Sequence, residues 1–426
     1  MALSTFVGTF RSLTTDSIGT TYTLTPGFET KAGIVFHTGR GDASDASGGA
    51  TMRRSIGFFT STTNRFCTGS MSVDAAAAGS GNEFLNNAAV SITAAADSTT
   101  VDGQIDVSSI TSTTCVFVVD DVMPVDSTFG AILFGGSDIT NATVVEYDLG
   151  SGTGTIDITS VGFQGDMLFV AGTNELGPSP VVDAAGGQMF FGACTGTGDE
   201  HVWWGGMDQG SATADTAAYS LAGDLHADCN GGITAGGSMQ NRVEFSAWLS
   251  NGWRFNKLLM GRNGINGIAL VIQGGNWTVG DFTTLATTGP ITESGFGYTP
   301  NGVLVVSALR AVSTAPNQTA DDQLSIGAAD ASTQHAQAMV DDNGVADMEV
   351  ATAVDFDKVY VNLDVADTVV GLISVTSFDT DGITFNQDDA DPSANFAWYV
   401  ACGNPAVGGG SISPYYSNYY TRVVAA

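Results

Sequence analysis

The residues of this chain best suited to chemistry are aspartates in its last third. Asp379 and Asp381 flank a turn, and Asp388 and Asp389 follow it a short distance along the chain. A hard cation such as Ca²⁺ needs several converging carboxylate or carbonyl oxygens, which loops of this kind can supply. The four aspartates are therefore a candidate calcium site, and no other cofactor is expected. The alternative is that they are ordinary turn residues whose side chains bond their own backbone.

Catalytic motifs are scarce. The four histidines, His37, His201, His226 and His335, show no common spacing that relates one to another. The sequence has no G-x-S-x-G elbow, no H-E-x-x-H helix and no Walker A loop, so hydrolase, zincin and P-loop chemistry lack support. These observations predict a protein that is not an enzyme. A polysaccharide-degrading protein stays open as a third hypothesis, because it would need only paired carboxylates across a groove.

Two aromatic groups are candidate interaction residues. Trp203 and Trp204 are adjacent, so on a strand they point to opposite faces, one into a core and the other half exposed. The half-exposed ring favours packing against a neighbouring unit over a carbohydrate platform. Near the end of the chain, four tyrosines follow Gly408-Gly409-Gly410: Tyr415, Tyr416, Tyr419 and Tyr420. They suit either an arm that docks on another subunit or a host surface, or a last strand that returns to the body.

A repeat organises the elements that carry these residues. Gly27, Gly162 and Gly297 each precede an apolar run, and they are spaced 135 residues apart. A second set of glycines has the same spacing, each within a motif such as Ser55-Ile56-Gly57-Phe58-Phe59; its members are Gly57, Gly192 and Gly327. Two independent anchors with one period indicate that a single unit occurs three times.

Each unit reads as a set of short strands. Hairpins are predicted at Asn251-Gly252 and Asp381-Gly382, and the unit closes on an apolar strand such as Ala131 to Gly135. We therefore expect an all-β fold of three tandem β-sandwich or jelly-roll-like domains, with repeats of about 135 residues. The predicted domains are residues 1–138, 139–276 and 277–407, followed by a Tyr-rich arm at 408–426. The sequence leaves open whether they surround a pseudo-threefold axis or form a rod.

Composition limits the partners. The 426 residues carry 44 acidic and 13 basic side chains, a net charge of −31. Such a surface repels phosphate backbones and anionic lipids, so neither nucleic acid nor membrane is an expected partner. No secretory signal is visible, and the five widely spaced cysteines contain no C-x-x-C motif. These features predict small buried cysteines and synthesis in a reducing cytoplasm.

Several of these motifs resemble a repeat found in structural proteins of tailed bacteriophages. They are the opening Gly27-Phe28 with Lys31, Ala32 and Phe36, the turn Thr63-Asn64-Arg65, and the hairpin Phe378 to Phe385. The resemblance covers about three copies and implies a virion component made in the host cytoplasm. We therefore expect a non-enzymatic capsid decoration or cement subunit that contacts other virion proteins and forms a homo-oligomer. The alternative is a tail-tip or fibre adhesin that binds host glycans.

Overall fold

Antiparallel β-strands make up the regular structure of the described chain. The computed structural model describes residues 2–39, 47–48, 51–73, 81–93, 100–173, 179–183, 186–208, 216–229, 239–261, 266–311, 321–342 and 349–405. Within these ranges the chain forms no helix that is long and apolar enough to cross a membrane.

The strands fall into three sets that follow the predicted repeat. The first set is β1 (Leu3–Ser12), β2 (Thr21–Leu24), β3 (Thr30–Thr38), β4 (Ser47–Gly48), β5 (Met52–Phe59), β6 (Arg65–Ser72), β7 (Gly81–Asn86), β8 (Val90–Ile92), β9 (Gly103–Ile110), β10 (Cys115–Asp121) and β11 (Ser127–Gly136). The second set is β12 (Asn141–Asp148), β13 (Gly154–Ile158), β14 (Met167–Gly172), β15 (Val181–Asp183), β16 (Gly186–Cys194), β17 (His201–Asp208), β18 (Thr216–Ala222), β19 (His226–Cys229), β20 (Met239–Leu249), β21 (Gly252–Met260) and β22 (Asn266–Gln273). The third set is β23 (Asn276–Thr283), β24 (Gly289–Ser294), β25 (Tyr298–Ser307), β26 (Asp322–Asp330), β27 (Gln334–Asp341), β28 (Val350–Asp355), β29 (Tyr360–Leu363), β30 (Val369–Asp379), β31 (Gly382–Asp389) and β32 (Phe396–Pro405).

Each set forms a large and a small sheet with the same topology. In the first domain the large sheet has the order β1-β11-β3-β5-β6-β7-β15, and the small sheet has the order β2-β10-β9-β8. The second domain repeats this as β12-β22-β14-β16-β17-β18 and β13-β21-β20-β19, and the third as β23-β32-β25-β26-β27-β28-β4 and β24-β31-β30-β29. The prediction of an all-β fold with three tandem repeats is therefore confirmed. The predicted boundary at 138 falls between β11 and β12, and that at 276 falls on the first residue of β23.

The two kinds of sheet differ in how many faces they bury. Along β10 of the small sheet, buried Cys115, Phe117 and Val119 alternate with more exposed residues, as in a strand with one face in solvent. In the large sheet, β3 and β11 are buried at almost every position. One face of the large sheet packs on the small sheet of its own domain, and the other packs on the neighbouring domains.

A shared core joins the three domains. One continuous apolar cluster contains residues of all three large sheets, with Phe134 from the first domain, Phe169 from the second and Trp277 from the third in mutual ring contact at 5.2–6.3 Å between centroids. Separate clusters fill the interior of each sandwich. The domains therefore close around a common axis, and the rod arrangement is excluded.

The second set of repeated glycines has a steric explanation. Gly57, Gly192 and Gly327 lie in β5, β16 and β26, and a Cβ atom at each would overlap a backbone carbonyl oxygen. The oxygen belongs to Ala89 in the first domain and to the matching turn residues in the other two, Leu225 and Val359. Only glycine lets this turn lie so close to the large sheet.

Candidate functional site

Several polar side chains make hydrogen bonds across the interfaces between two domains, which we call seams. Strand pairing places Lys31, Asp166 and Asn301 at one repeat position, and each holds the backbone where another domain's first strand begins. Lys31 Nζ donates to the Ile139 oxygen at 2.6 Å, Asp166 Oδ2 accepts from the Gly274 amide at 2.7 Å, and Asn301 Nδ2 donates to the Leu3 oxygen at 2.7 Å. Three different side chains thus perform one structural task.

A second contact repeats around the axis. The turn after β5 places Asn64 on the edge of β12, where its side chain accepts from the Val144 amide at 2.7 Å and donates to the Val144 oxygen at 2.8 Å. In the third domain Asp330 accepts from the Val7 amide of β1 at 2.6 Å. At the seam between the second and third domains His201 Nε2 lies 3.0 Å from Asp281 Oδ2 on β23. The contacts of Asn64 and Asp330 cover backbone groups on strand edges that would otherwise be open to pairing.

Two short strands cross between domains. β4 belongs to the first third of the chain but pairs with β28 of the third domain, and β15 of the second third pairs with β7 of the first domain. Both strands extend the large sheet of another domain to seven strands. Backbone hydrogen bonds therefore tie the domains together alongside the shared core.

A buried ion pair lies where all three domains meet. Arg54 of β5 is fully buried, and its Nη1 lies 2.8 Å from Oδ1 and 2.6 Å from Oδ2 of Asp322 in the third domain. The same guanidinium donates to the carbonyl oxygens of Gly187 and Gly205 in the second domain, at 3.1 and 2.6 Å, and stacks 5.0 Å from the centroid of the Trp203 ring. Nearly all N–H groups of this guanidinium donate a hydrogen bond, which offsets the cost of burying its charge.

A second carboxyl lies beside this pair. Asp341 is the cross-strand neighbour of Asp322 and bonds the Ser72 hydroxyl across the seam. Burial raises the pKa of Asp341 well above its usual range, and it raises the pKa of Asp322 in spite of the adjacent Arg54. The sequence prediction missed these residues. Asp322 begins β26 and Asp341 ends β27, so their positions at strand ends gave no sign of burial.

The candidate calcium ligands are not brought together. Asp379 and Asp381 lie at the tip of the hairpin between β30 and β31, whereas Asp388 and Asp389 end β31, about 25 Å away at the rise of a strand. Asp379 accepts from Ser377 and Thr384, and Asp381 accepts from the Gly297 amide. These hydrogen bonds come from hydroxyls of the same hairpin and from the amide of a neighbouring turn, and none is made to the aspartates' own backbone. The described residues contain no group of three or more His, Cys, Asp or Glu side chains arranged to hold a metal.

The tryptophans point to opposite faces as predicted, but both are fully buried. Trp204 stacks on Tyr219 at 5.0 Å within the sandwich of the second domain. One of the two rings was predicted to be half exposed, but Trp203 on the other face is enclosed where the second and third domains meet, and its Nε1 donates to the Gln323 oxygen of the third domain at 2.9 Å. The four tyrosines of the arm lie outside the described residues.

Two histidines occupy equivalent positions, contrary to the sequence prediction. His201 starts β17 and His335 lies one residue into β27; strand pairing aligns both with Phe66 of the first domain. The turn before His335 is one residue shorter than the turn before His201, so the spacing of the two histidines departs by one residue from the repeat of 135. His335 stacks on Phe36 across the seam, and burial lowers its pKa to about 3; burial also lowers the pKa of His37 to about 4.

The described cysteine side chains are buried and unbonded to one another: Cys67, Cys115, Cys194 and Cys402. Burial raises the pKa of each thiol, to about 12 for Cys67, so they are not reactive thiolates. A comparison with known proteins finds no family model that matches the chain and no curated protein with significant sequence similarity.

Proposed function

We propose that this chain is a non-enzymatic structural protein of a tailed-phage virion, a decoration or cement subunit on the outer surface of the capsid. The observation that carries the proposal is the closure of three sandwich domains around one shared core. Such a body is a preassembled block in which a single chain takes the place of a trimer. Buried polar groups of different domains hydrogen-bond to one another across the seams, which holds the three domains together as one rigid body.

The surface charge and the bacteriophage-like repeat motifs also support this role. A net charge of −31 keeps decorated particles apart by repulsion, an effect that salt screens over about 8 Å at physiological ionic strength. Decoration then depends on many weak contacts with neighbouring virion proteins, whose combined strength exceeds that of any single contact. The tyrosines of the arm are the candidate anchors for those contacts.

Particle labelling tests the proposed location. Antibody-bound gold applied to intact particles of the encoding phage should decorate the whole capsid surface. Gold confined to the tail would favour the adhesin alternative. Labelling that appears only after the shell is opened would reject an external position.

Binding to undecorated capsids tests the proposed anchor. The full chain should sediment with capsids, and a variant with Tyr→Ser at 415, 416, 419 and 420 should bind at least tenfold more weakly. A matched control with Ser→Ala at 411 and 417 alters the same arm without removing an aromatic ring. Equal binding by all three proteins would place the contact elsewhere on the body.

A further inference from the structure

A cleft of about 590 Å³ lies where the second domain meets the third. Tyr219 of β18 forms one side, Leu309 and Arg310 after β25 form another, and the loop between β31 and β32 forms a third. The volume is that of a small-ligand site, and such sites form preferentially between domains. Nothing in the proposed structural role requires this cleft.

The backbone beside the cleft is strained. Leu309 and Ala394 have φ of +52° and +47°, and they are two of the three non-glycine residues with positive φ in the described chain. The Leu309 amide donates to Ser307 Oγ at 2.9 Å, and the Phe396 amide donates to the Arg310 oxygen at 2.6 Å, so both segments are fixed. Strain held in this way concentrates at ligand sites.

A buried carboxylate orients one wall of the cleft. Asp391 is fully buried and accepts hydrogen bonds from Asn362 Nδ2 at 3.1 Å, Asn395 Nδ2 at 3.0 Å and Tyr360 OH at 2.6 Å. The amide nitrogen of Asn395 is therefore committed to Asp391. Its Oδ1 finds no hydrogen-bond donor among the described residues, although the side chain is 1% exposed and lines the cleft. A buried acceptor of this kind is satisfied by a water molecule or by a ligand that donates to it.

Charge narrows the class of ligand. The cleft wall holds the guanidinium of Arg310 and two carboxylates, Asp321 and Asp364, so its formal charge is −1. An anionic ligand is repelled by this wall and by the acidic body, whereas hydroxyl donors match its acceptors. Leu309 and Val370 offer apolar surface for the C–H face of a ring.

We propose that this cleft binds a neutral saccharide of one or two units. Asn395 and Asp364 accept from sugar hydroxyls, Arg310 donates to a ring or hydroxyl oxygen, and the strained segments hold these groups in place. A virion protein with such a site would also contact host glycans, the second role that the sequence leaves open.

Saturation-transfer NMR on the full chain tests the proposal with glucose, galactose, mannose, N-acetylglucosamine, lactose and maltose, and with N-acetylneuraminic acid as the anionic probe. At least one neutral sugar should show transfer, and Ser393→Trp should weaken its binding at least tenfold by filling the cleft. Ser151→Trp, on an exposed turn of the second domain, is the matched control and should bind like the wild type.

Three outcomes would overturn the proposal: no transfer to any neutral sugar, transfer that persists in S393W, or a preference for the anionic probe. Thermal unfolding of each variant shows whether S393W is folded. If it is not, Arg310→Gln replaces it, and the same tenfold loss is expected. Sugar binding by the purified chain does not depend on where the protein lies on the virion. This experiment therefore tests the cleft alone, and the particle labelling tests the proposed function.

Discussion

At the scale of single residues, the repeated glycines are the positions least able to change. Gly57 has no room for a methyl group because the Ala89 carbonyl oxygen occupies that space. We expect Gly57→Ala to lower the free energy of unfolding by about 1–3 kcal/mol, the cost of forcing extra atoms into a packed site. Urea unfolding measures it. Gly196→Ala is the control, since open space surrounds Gly196; a loss as large in G196A would contradict the steric explanation.

The buried Asp341 carboxyl predicts the direction in which the stability of the protein changes with pH. Its folded pKa is raised, so its contribution to stability is present at low pH and is lost as pH rises through that pKa. Asp341→Asn removes this penalty and should stabilise the protein at pH 8 by more than about 0.5 kcal/mol, the scatter of neutral substitutions. The gain should vanish near pH 3.5, below the unfolded pKa.

Exposed Asp367 provides the matched control for that substitution. Asp367→Asn should leave the unfolding free energy within about 0.5 kcal/mol of the wild type at both pH values, because the side chain lies in solvent. If D341N destabilised the protein at pH 8, the carboxylate would be held ionised by favourable contacts and its pKa could not be raised.

At the scale of elements, the turns between β5 and β6 and their counterparts fasten one domain to the next. Asn64 makes two hydrogen bonds to the edge of β12. Asn64→Ala leaves two buried backbone groups of Val144 without these partners and should cost about 1–3 kcal/mol in urea unfolding. Thr63→Ala, next to it on the exposed turn, should change little. Similar losses in both variants would show that the turn itself matters, and not its contact with β12.

The elements were predictable from the sequence, and most of their contacts were not. The hairpins at Asn251 and Asp381 and the alternation of Trp203 and Trp204 follow from local rules of turn chemistry and strand period. The pair of Arg54 and Asp322 joins residues 268 positions apart, and no local pattern encodes that separation. The same limit explains the calcium prediction: four aspartates close in sequence are separated in space by the full length of β31.

At the scale of the whole molecule, the shared core should make unfolding a single event. All six tryptophans lie in the second and third domains, and the first domain has none. Gly57→Ala in the first domain should therefore shift the urea midpoint of tryptophan fluorescence by as much as that of far-UV circular dichroism. An unchanged fluorescence midpoint would mean that the first domain unfolds alone.

The pH dependence of stability also belongs to the whole molecule. Burial raises the pKa of Glu200 to about 7 and raises that of Asp199 and Asp224, so their contribution to stability is lost as pH rises from about 4 through these raised values. His37 and His335 have lowered pKa values, about 4 and 3, and their contribution is lost as pH falls below about 6.5. Between about pH 4.5 and 6.5 the two sets of groups act in opposite directions; above about pH 6.5 only the carboxyls still titrate, so stability should fall there.

Urea midpoints measured from pH 4.5 to pH 8 test both effects. Glu200→Gln should raise the midpoint at pH 8 relative to that at pH 4.5, because it removes a loss that runs up to about pH 7. His335→Gln should remove part of the rise between pH 4.5 and about pH 6.5. A midpoint that rises steadily up to pH 8 would contradict the raised carboxyl pKa values.

The contact between β1 and the third domain has a consequence for synthesis on the ribosome. The Leu3 amide donates to Asn404 Oδ1 at 2.6 Å, so β1 waits for a partner that is translated 401 residues later. At ordinary translation speeds that delay is on the order of ten seconds after the second domain is made. During that interval the inner apolar faces of the two finished sandwiches stay exposed, which favours association between nascent chains on neighbouring ribosomes.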